Sequence, residues 1–249
     1  MAAHTACRLL VFLATLAVVL AGTPAHAACS DPAELARSTV SIVRHFDETE
    51  RDTRPDLIGI AGTGWFLSPT TIVTAAHVAE AMKLSIQDWK PLEIADRDGS
   101  QFVAVRIQGL AGNLAEKLAV LELQRAVSAA LTLAIRREPL VPQEQVMTYV
   151  FAAGPPHYVR GQFVRFGDDK LAGTALLEIY EGDNRLVVDH GASGAPVVDC
   201  DGRVVAVISN VFTQSLWWAS RQIRISTAWG NPNVVSVPIQ ALENVPQPD

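Results

Sequence analysis

Two short stretches of the chain carry the residue types that nucleophilic acyl transfer requires. The first is Gly191-Ala192-Ser193-Gly194-Ala195-Pro196. A serine set among glycines suits a tight turn that exposes its hydroxyl, and in such a turn the N–H groups of Gly191 and Ser193 converge. That is an oxyanion hole, which stabilises the anionic oxygen of a tetrahedral intermediate. Alone, the stretch reads equally well as a polar turn between strands, where Gly and Ser are common. The second stretch runs from Gly62-Thr63-Gly64-Trp65-Phe66-Leu67-Ser68-Pro69 into Ile72-Val73-Thr74-Ala75-Ala76-His77-Val78. A strand that ends in small residues presents His77 at the start of a short helix, and imidazole is the commonest base for activating a serine hydroxyl. His4, His26, His45, His157 and His190 have no comparable setting and read as structural.

These residues need a scaffold, and the rhythm of the chain predicts one made of strands. Short apolar runs recur at 40–43, 64–67, 72–74, 102–105, 118–121, 146–150, 163–166, 175–180, 186–188, 195–198, 204–208 and 234–237. Asp98-Gly99 and Asp201-Gly202 each separate two such runs, which is a strong hairpin signal. So many short strands predict an all-β sandwich or a pair of barrels. Helix is predicted only at 76 to about 82 and at 239 to about 244. Charges and the prolines Pro139 and Pro142, around Arg136 to Val141, interrupt the rhythm and mark the best internal boundary.

Composition narrows the function classes. The chain has 249 residues, is 49% hydrophobic and 18% charged, and carries a formal net charge of −6. It therefore has enough apolar residues for a real core, and it has no Lys/Arg run to meet nucleic acid or an anionic membrane. Cys7, Cys29 and Cys200 form no CxxC pair and the histidines form no HExxH, so neither a metal nor any other cofactor is expected. At the N-terminus, Arg8 precedes the apolar run 9–20 and the small-residue site Ala25-His26-Ala27. This pattern predicts a secretory signal peptide over residues 1–27 and a secreted or periplasmic protein that is free of the membrane after cleavage. The run is shorter than the roughly 20 residues that a spanning helix needs. Acylation at Cys29, the lipoprotein alternative, wants an aliphatic residue where His26 stands. After cleavage only Cys29 and Cys200 remain, and an oxidising compartment favours their pairing over two separate thiols.

Gly-Thr-Gly-Trp-Phe-Leu-Ser, then Thr-Ala-Ala-His, then Gly-Ala-Ser-Gly-Ala-Pro resembles the bacterial trypsin-like serine peptidases of the HtrA (Deg) group. Asp98-Gly99, Gly154-Pro155-Pro156 before Gly161-Gln162-Phe163-Val164, the segment Asp201-Gly202-Arg203-Val204, and Val237-Pro238-Ile239 follow in the family's order. The resemblance implies two six-stranded β-barrels with the site between them, the first over about 36–135 and the second over about 140–238 of a domain spanning 28–249, with a short C-terminal helix. It implies an exported endopeptidase that acts on polypeptides, with Ser193 as nucleophile and His77 as general base. Chain order speaks against two other sources of such a triad. An α/β-hydrolase places its histidine after the serine, and none follows Ser193. A subtilisin-like order needs an acid before His77 on an α/β scaffold, which the strand-rich pattern does not suit.

Several features of the resemblance refine it. Ala192 stands where digestive zymogens carry an aspartate, and no Ile-Val-Gly-Gly start is present, which implies no cleavage switch. The chain ends soon after Val237-Pro238, so no PDZ domain is expected within it. The base of the substrate pocket falls at Leu186-Val187-Val188 and its opposite wall at Ser209-Asn210-Val211, which implies a preference for small or medium apolar side chains unless Asp189 turns inward. The family's third catalytic residue is an aspartate, and Lys117 occupies its place in Glu116-Lys117-Leu118-Ala119-Val120-Leu121. Three readings stay open. Glu116 reaches His77 through a one-residue bulge, although its strand parity is wrong. A Ser193–His77 dyad works slowly. Or the protein is an inactive pseudo-peptidase that binds without cutting. The residues give no oligomeric state.

Overall fold

The computed structural model describes residues 29, 31–53, 59–80, 92–110, 114–151, 156–180, 191–211, 213–218, 221–226 and 232–242. Its strands are β1 (Thr39–His45), β2 (Gly59–Ser68), β3 (Thr71–Ala75), β4 (Leu92–Ala95), β5 (Gln101–Gly109) and β6 (Leu118–Leu123), followed by β7 (Gln145–Val150), β8 (His157–Phe166), β9 (Ala175–Tyr180), β10 (Pro196–Val198), β11 (Val204–Val211), β12 (Thr213–Trp218), β13 (Arg221–Ser226) and β14 (Val234–Pro238). The first six close into a barrel in the order β1-β2-β3-β6-β5-β4, and a second barrel closes as β10-β11-β14-β9-β8-β7. Read from β7, the second order repeats the first, with the β12–β13 ribbon inserted before the final strand. The expected pair of six-stranded barrels is therefore present.

Why the runs are apolar without strict alternation follows from where their two faces lie. In β2, Phe66 enters the first barrel's core while Trp65 faces a separate cluster shared by both barrels. In β6, Ala119 and Leu121 point inward, and Leu118 and Val120 join Met147, Tyr149, Val198, Val207 and Val237 of the second barrel. Strands buried on both sides read as continuous apolar runs. Burying Trp65 completely contributes on the order of 2–3 kcal/mol, so this interface is a core in its own right.

Both hairpin signals fall where they were expected. Gly99 and Gly202 adopt φ of +83° and +78°, and Asp96 caps the first turn through its Oδ1, which accepts from the N–H groups of Asp98 and Ser100. The helix expected from residue 76 spans Ala76–Ala79, with Glu80 as its cap. The C-terminal helix is a 3-10 turn, Ile239–Leu242. The apolar run 186–188 lies outside the described residues. Two helices were not anticipated. Pro32–Ser38 begins at Asp31, whose carboxylate accepts from Ala33 N–H at 2.9 Å, and Glu48–Thr53 is a single polar turn and a half. Both are too short to generate a helical hydrophobic period.

Cys29 and Cys200 form a disulfide that ties the segment before Pro32–Ser38 to the second barrel. The bond uses the sulfur that acylation of Cys29 would need. Arg136 pins the segment between the barrels. Its guanidinium meets the Glu144 carboxylate and lies 3.3 Å from Asp199, and it donates to the carbonyls of Glu138 and Pro139 at 3.1 and 3.0 Å. The charged boundary read at 136–141 is thus a strap held by partly buried ion pairs. No helix among the described residues is long and apolar enough to cross a membrane.

Candidate active site

His77 reaches its place because β3 ends in a buried residue and the chain then turns once. Ala75 is extended, and the turn Ala76–Ala79 buries Val78 and Ala79 in the first barrel. Val78 fits only because residue 62 lacks a side chain: a Cβ on Gly62 would lie 2.5 Å from Val78 Cγ1. One glycine of the Gly62-Thr63-Gly64 motif thereby seats the histidine's helix. The His77 side chain remains exposed by surface area, as a base that must meet a substrate requires. Protein atoms around it still strip enough hydration to lower its pKa below the ordinary 6.5, while the Glu80 carboxylate pulls the other way. Its imidazole is therefore neutral, and able to accept a proton, at neutral pH.

The serine turn belongs to the second barrel, between residues 191 and β10. Gly191 and Gly194 adopt φ of +98° and +92°, values that favour glycine. Gly194 also has no room for a side chain, since a Cβ there would lie 2.0 Å from Thr63 O and 2.2 Å from Thr74 Oγ1. Ser193 is half-buried, and its hydroxyl donates to Ser209 O at 3.3 Å. Among the described residues, no hydrogen bond joins Ser193 to His77. The Ser193 and Gly191 N–H groups likewise donate to no other described residue, as an open oxyanion hole requires.

The two turns are locked together across the barrels. Thr63 N–H donates to Ser193 O at 2.8 Å, and the Thr63 hydroxyl donates to Gly191 O at 2.6 Å. Thr74, three residues before His77, donates to Thr63 O at 2.7 Å. Reading the sequence for catalytic residues missed Thr63 and Thr74. Their signal was a hydroxyl inside an otherwise apolar strand, which has to find a partner when buried.

The remaining candidates stand as follows. Glu116 and Lys117 are both exposed on a 3-10 turn, Ala115–Lys117, so the strand parity invoked for them does not apply. Neither side chain hydrogen-bonds or ion-pairs with a described residue. Among the described residues, the carboxylate that acts on His77 is that of Glu80. Ser209 is the extra residue of a bulge between the Ile208–Ser236 and Asn210–Val235 pairs of β11 and β14. Bulges commonly re-aim groups beside active sites, and here the Ser209 carbonyl is turned to Ser193. Val211 ends β11 opposite Val234. Val187, Asp189 and His190 lie outside the described residues. No three His, Cys, Asp or Glu side chains among the described residues gather as metal ligands do.

Comparison with known proteins agrees with this fold. The serine endoprotease from Yersinia pestis matches with a TM-score of 0.58 at 16% identity, over 86% of this chain and 62% of that one. This chain thus spans less than two thirds of the Yersinia protein's length. A protease from M. tuberculosis, solved in its active form, matches with a TM-score of 0.57 at 17% identity, over 89% of this chain and 86% of that one. At such identities the likeness establishes the fold. No curated protein matches the sequence. The profile for the trypsin-like peptidase domain matches residues 62–207, more than half of the chain and a span that holds both His77 and Ser193. The chain belongs to the trypsin-like peptidase domain family.

Proposed function

We propose that the protein is an exported serine endopeptidase in which Ser193 is the nucleophile and His77 the general base. The observation that carries this reading is the 2.8 Å bond from Thr63 N–H to Ser193 O, which seats the serine turn of one barrel against β2 of the barrel that bears His77. A rotation about the Ser193 Cα–Cβ bond frees its hydroxyl from Ser209 O. The oxygen then attacks the scissile carbonyl while His77 takes its proton, and the carbonyl oxygen becomes an anion held by the N–H groups of Gly191 and Ser193. His77 returns the proton to the leaving amine, the C–N bond breaks, and water hydrolyses the acyl-enzyme by the same steps. The vacated Ser209 carbonyl is then free to accept a hydrogen bond from a substrate strand. The resemblance puts the substrate pocket at sequence positions 187 and 211, both valine, and on that ground the preference is for small or medium apolar side chains before the cleaved bond, because a basic one would be buried unpaired.

Export of the chain after removal of residues 1–27 fits the Cys29–Cys200 disulfide, since such bonds persist in oxidising compartments. Mass spectrometry of exported protein is expected to begin at residue 28, and retention of Met1 speaks against export.

The second reading is a pseudo-peptidase that binds polypeptides without cutting them. It is favoured by Lys117, a cation at the head of β6 where an aspartate would stabilise the imidazolium. Fluorophosphonate labelling separates the two. Labelling that is lost in Ser193→Ala supports the hydrolase, and an unlabelled, casein-inert protein supports the binder.

A further inference from the structure

Thr63 has no exposed surface, yet every polar atom it carries meets a partner beyond its neighbours in β2. Its N–H donates to Ser193 O and its hydroxyl donates to Gly191 O. The same hydroxyl oxygen accepts from Phe151 N–H at 3.1 Å, and its carbonyl accepts from Thr74 Oγ1. Three of these four partners lie in or beside the second barrel, although Thr63 belongs to the first.

The consequence concerns peptide orientation. Three peptide units link Gly191 to Gly194, and each is held by its carbonyl. The Gly191 carbonyl is held by the Thr63 hydroxyl, the Ala192 carbonyl by Ala195 N–H at 3.0 Å, and the Ser193 carbonyl by Thr63 N–H. Because a peptide unit is planar and trans, fixing its C=O aims the N–H of the same unit the opposite way. Gly191, without a side chain and at positive φ, is where this turn rotates most easily. The Thr63 hydroxyl grips the carbonyl of that residue and Thr63 N–H grips that of Ser193, so Thr63 anchors the units on both sides of the Ala192–Ser193 unit, which carries the Ser193 N–H.

We propose that Thr63 is a positioning residue whose hydroxyl, carried by the barrel that bears His77, fixes the Gly191–Ala192 unit and with it one end of the adjoining Ala192–Ser193 unit, and so registers the oxyanion N–H of Ser193 to the base. The proposal rests on the hydrolase reading above. It also explains why a hydroxyl stands between two glycines in an apolar strand: valine has the same shape but can neither donate to Gly191 nor accept from Phe151.

The test compares Thr63→Val, Thr63→Ser and Thr74→Val with the parent in fluorophosphonate labelling rate and in kcat and KM on labelled casein. Thr63→Val is expected to lower kcat and the labelling rate by about 10- to 100-fold, with KM changed less than about threefold. The loss should stay below the roughly 1,000-fold upper limit for deleting an oxyanion donor. Thr63→Ser, which keeps the hydroxyl, is expected to recover most of the loss. Parent-like kcat in Thr63→Val overturns the proposal, and so does equal damage from Thr63→Val and Thr63→Ser, which would assign the effect to packing of the methyl group. If Thr63→Val does not fold, Thr74→Val decides. It loosens Thr63 while leaving its hydroxyl in place, so a lower kcat at constant KM supports the proposal and a parent-like kcat overturns it. A parent that neither labels nor cleaves defeats the hydrolase reading instead. Amide exchange at Gly194 and Ala195 then reads the anchoring directly: faster exchange in Thr63→Val than in Thr63→Ser supports it, and equal protection overturns it.

Discussion

Ala75 and Leu118 form the last rung of the ladder between β3 and β6, and the two segments leaving that rung carry His77 on one side and Glu116-Lys117 on the other. The fold therefore brings the position expected for the orienting acid to the neighbourhood of the base, and the chain supplies a lysine there. The 3-10 turn leaves both Glu116 and Lys117 exposed, and neither bonds to His77.

Lys117→Asp is accordingly expected to raise kcat about tenfold or more, within the roughly ten-thousandfold that neutralising such an aspartate costs elsewhere. Glu116→Gln is expected to change kcat less than about twofold. Casein hydrolysis, with Ser193→Ala as the zero line, checks both. The opposite pattern, in which Glu116→Gln abolishes activity and Lys117→Asp does little, assigns the orienting role to Glu116.

The pH profile follows from the environment of His77. Desolvation lowers its pKa below 6.5 and the Glu80 carboxylate opposes that shift. A base works deprotonated, so activity should rise with pH through a midpoint below 6.5 and be retained at mildly acidic pH. Glu80→Gln removes the raising influence and should move the acid limb to still lower pH. A midpoint that stays put or climbs in this variant contradicts the assignment of His77 as base.

Gly194→Ala tests the packing of the serine turn against the first barrel. The new methyl would meet Thr63 O and Thr74 Oγ1 within bonding distance, at a φ of +92°. The turn has to shift, and kcat/KM on casein should fall at least about 100-fold while circular dichroism keeps its β signature. Near-parent activity would mean that the close approach is not needed.

The strap at Arg136 predicts an acid-sensitive stability. Burial pushes the Glu144 pKa up, but the bonds from Arg136 and Val141 N–H more than offset this and hold it below the ordinary 4.5. A carboxylate with a lowered folded pKa contributes fully above its unfolded pKa and loses that contribution as pH falls through the folded value. Urea melts of Glu144→Gln should show about 1.5–3 kcal/mol less stability at pH 7 and a flatter decline below pH 4.5 than the parent. Parallel curves would remove Glu144 from the account.

Much of the molecule is legible in the amino-acid sequence because its determinants are local. Ser193 and His77 stand out because glycines and alanines around them prescribe turns at the ends of apolar runs, and Gly99 and Gly202 occupy hairpin positions that few other residues accept. The apolar runs announce strands with both faces covered. The β12–β13 ribbon gave no such signal, because Ala219-Ser220, between its strands in the sequence, has none of the Gly, Asn or Asp that two-residue hairpin turns favour. The bulge at Ser209 and the 3-10 turn at Glu116-Lys117 were equally invisible, since each depends on how neighbouring strands pair rather than on the residues themselves. The tertiary structure alone decided what holds the site together. Thr63 meets Gly191 across 128 positions and Phe151 across 88. A hydrogen bond closed over that distance leaves no period and no spacing in the chain, because it exists only once two barrels have folded and their strand ends face each other.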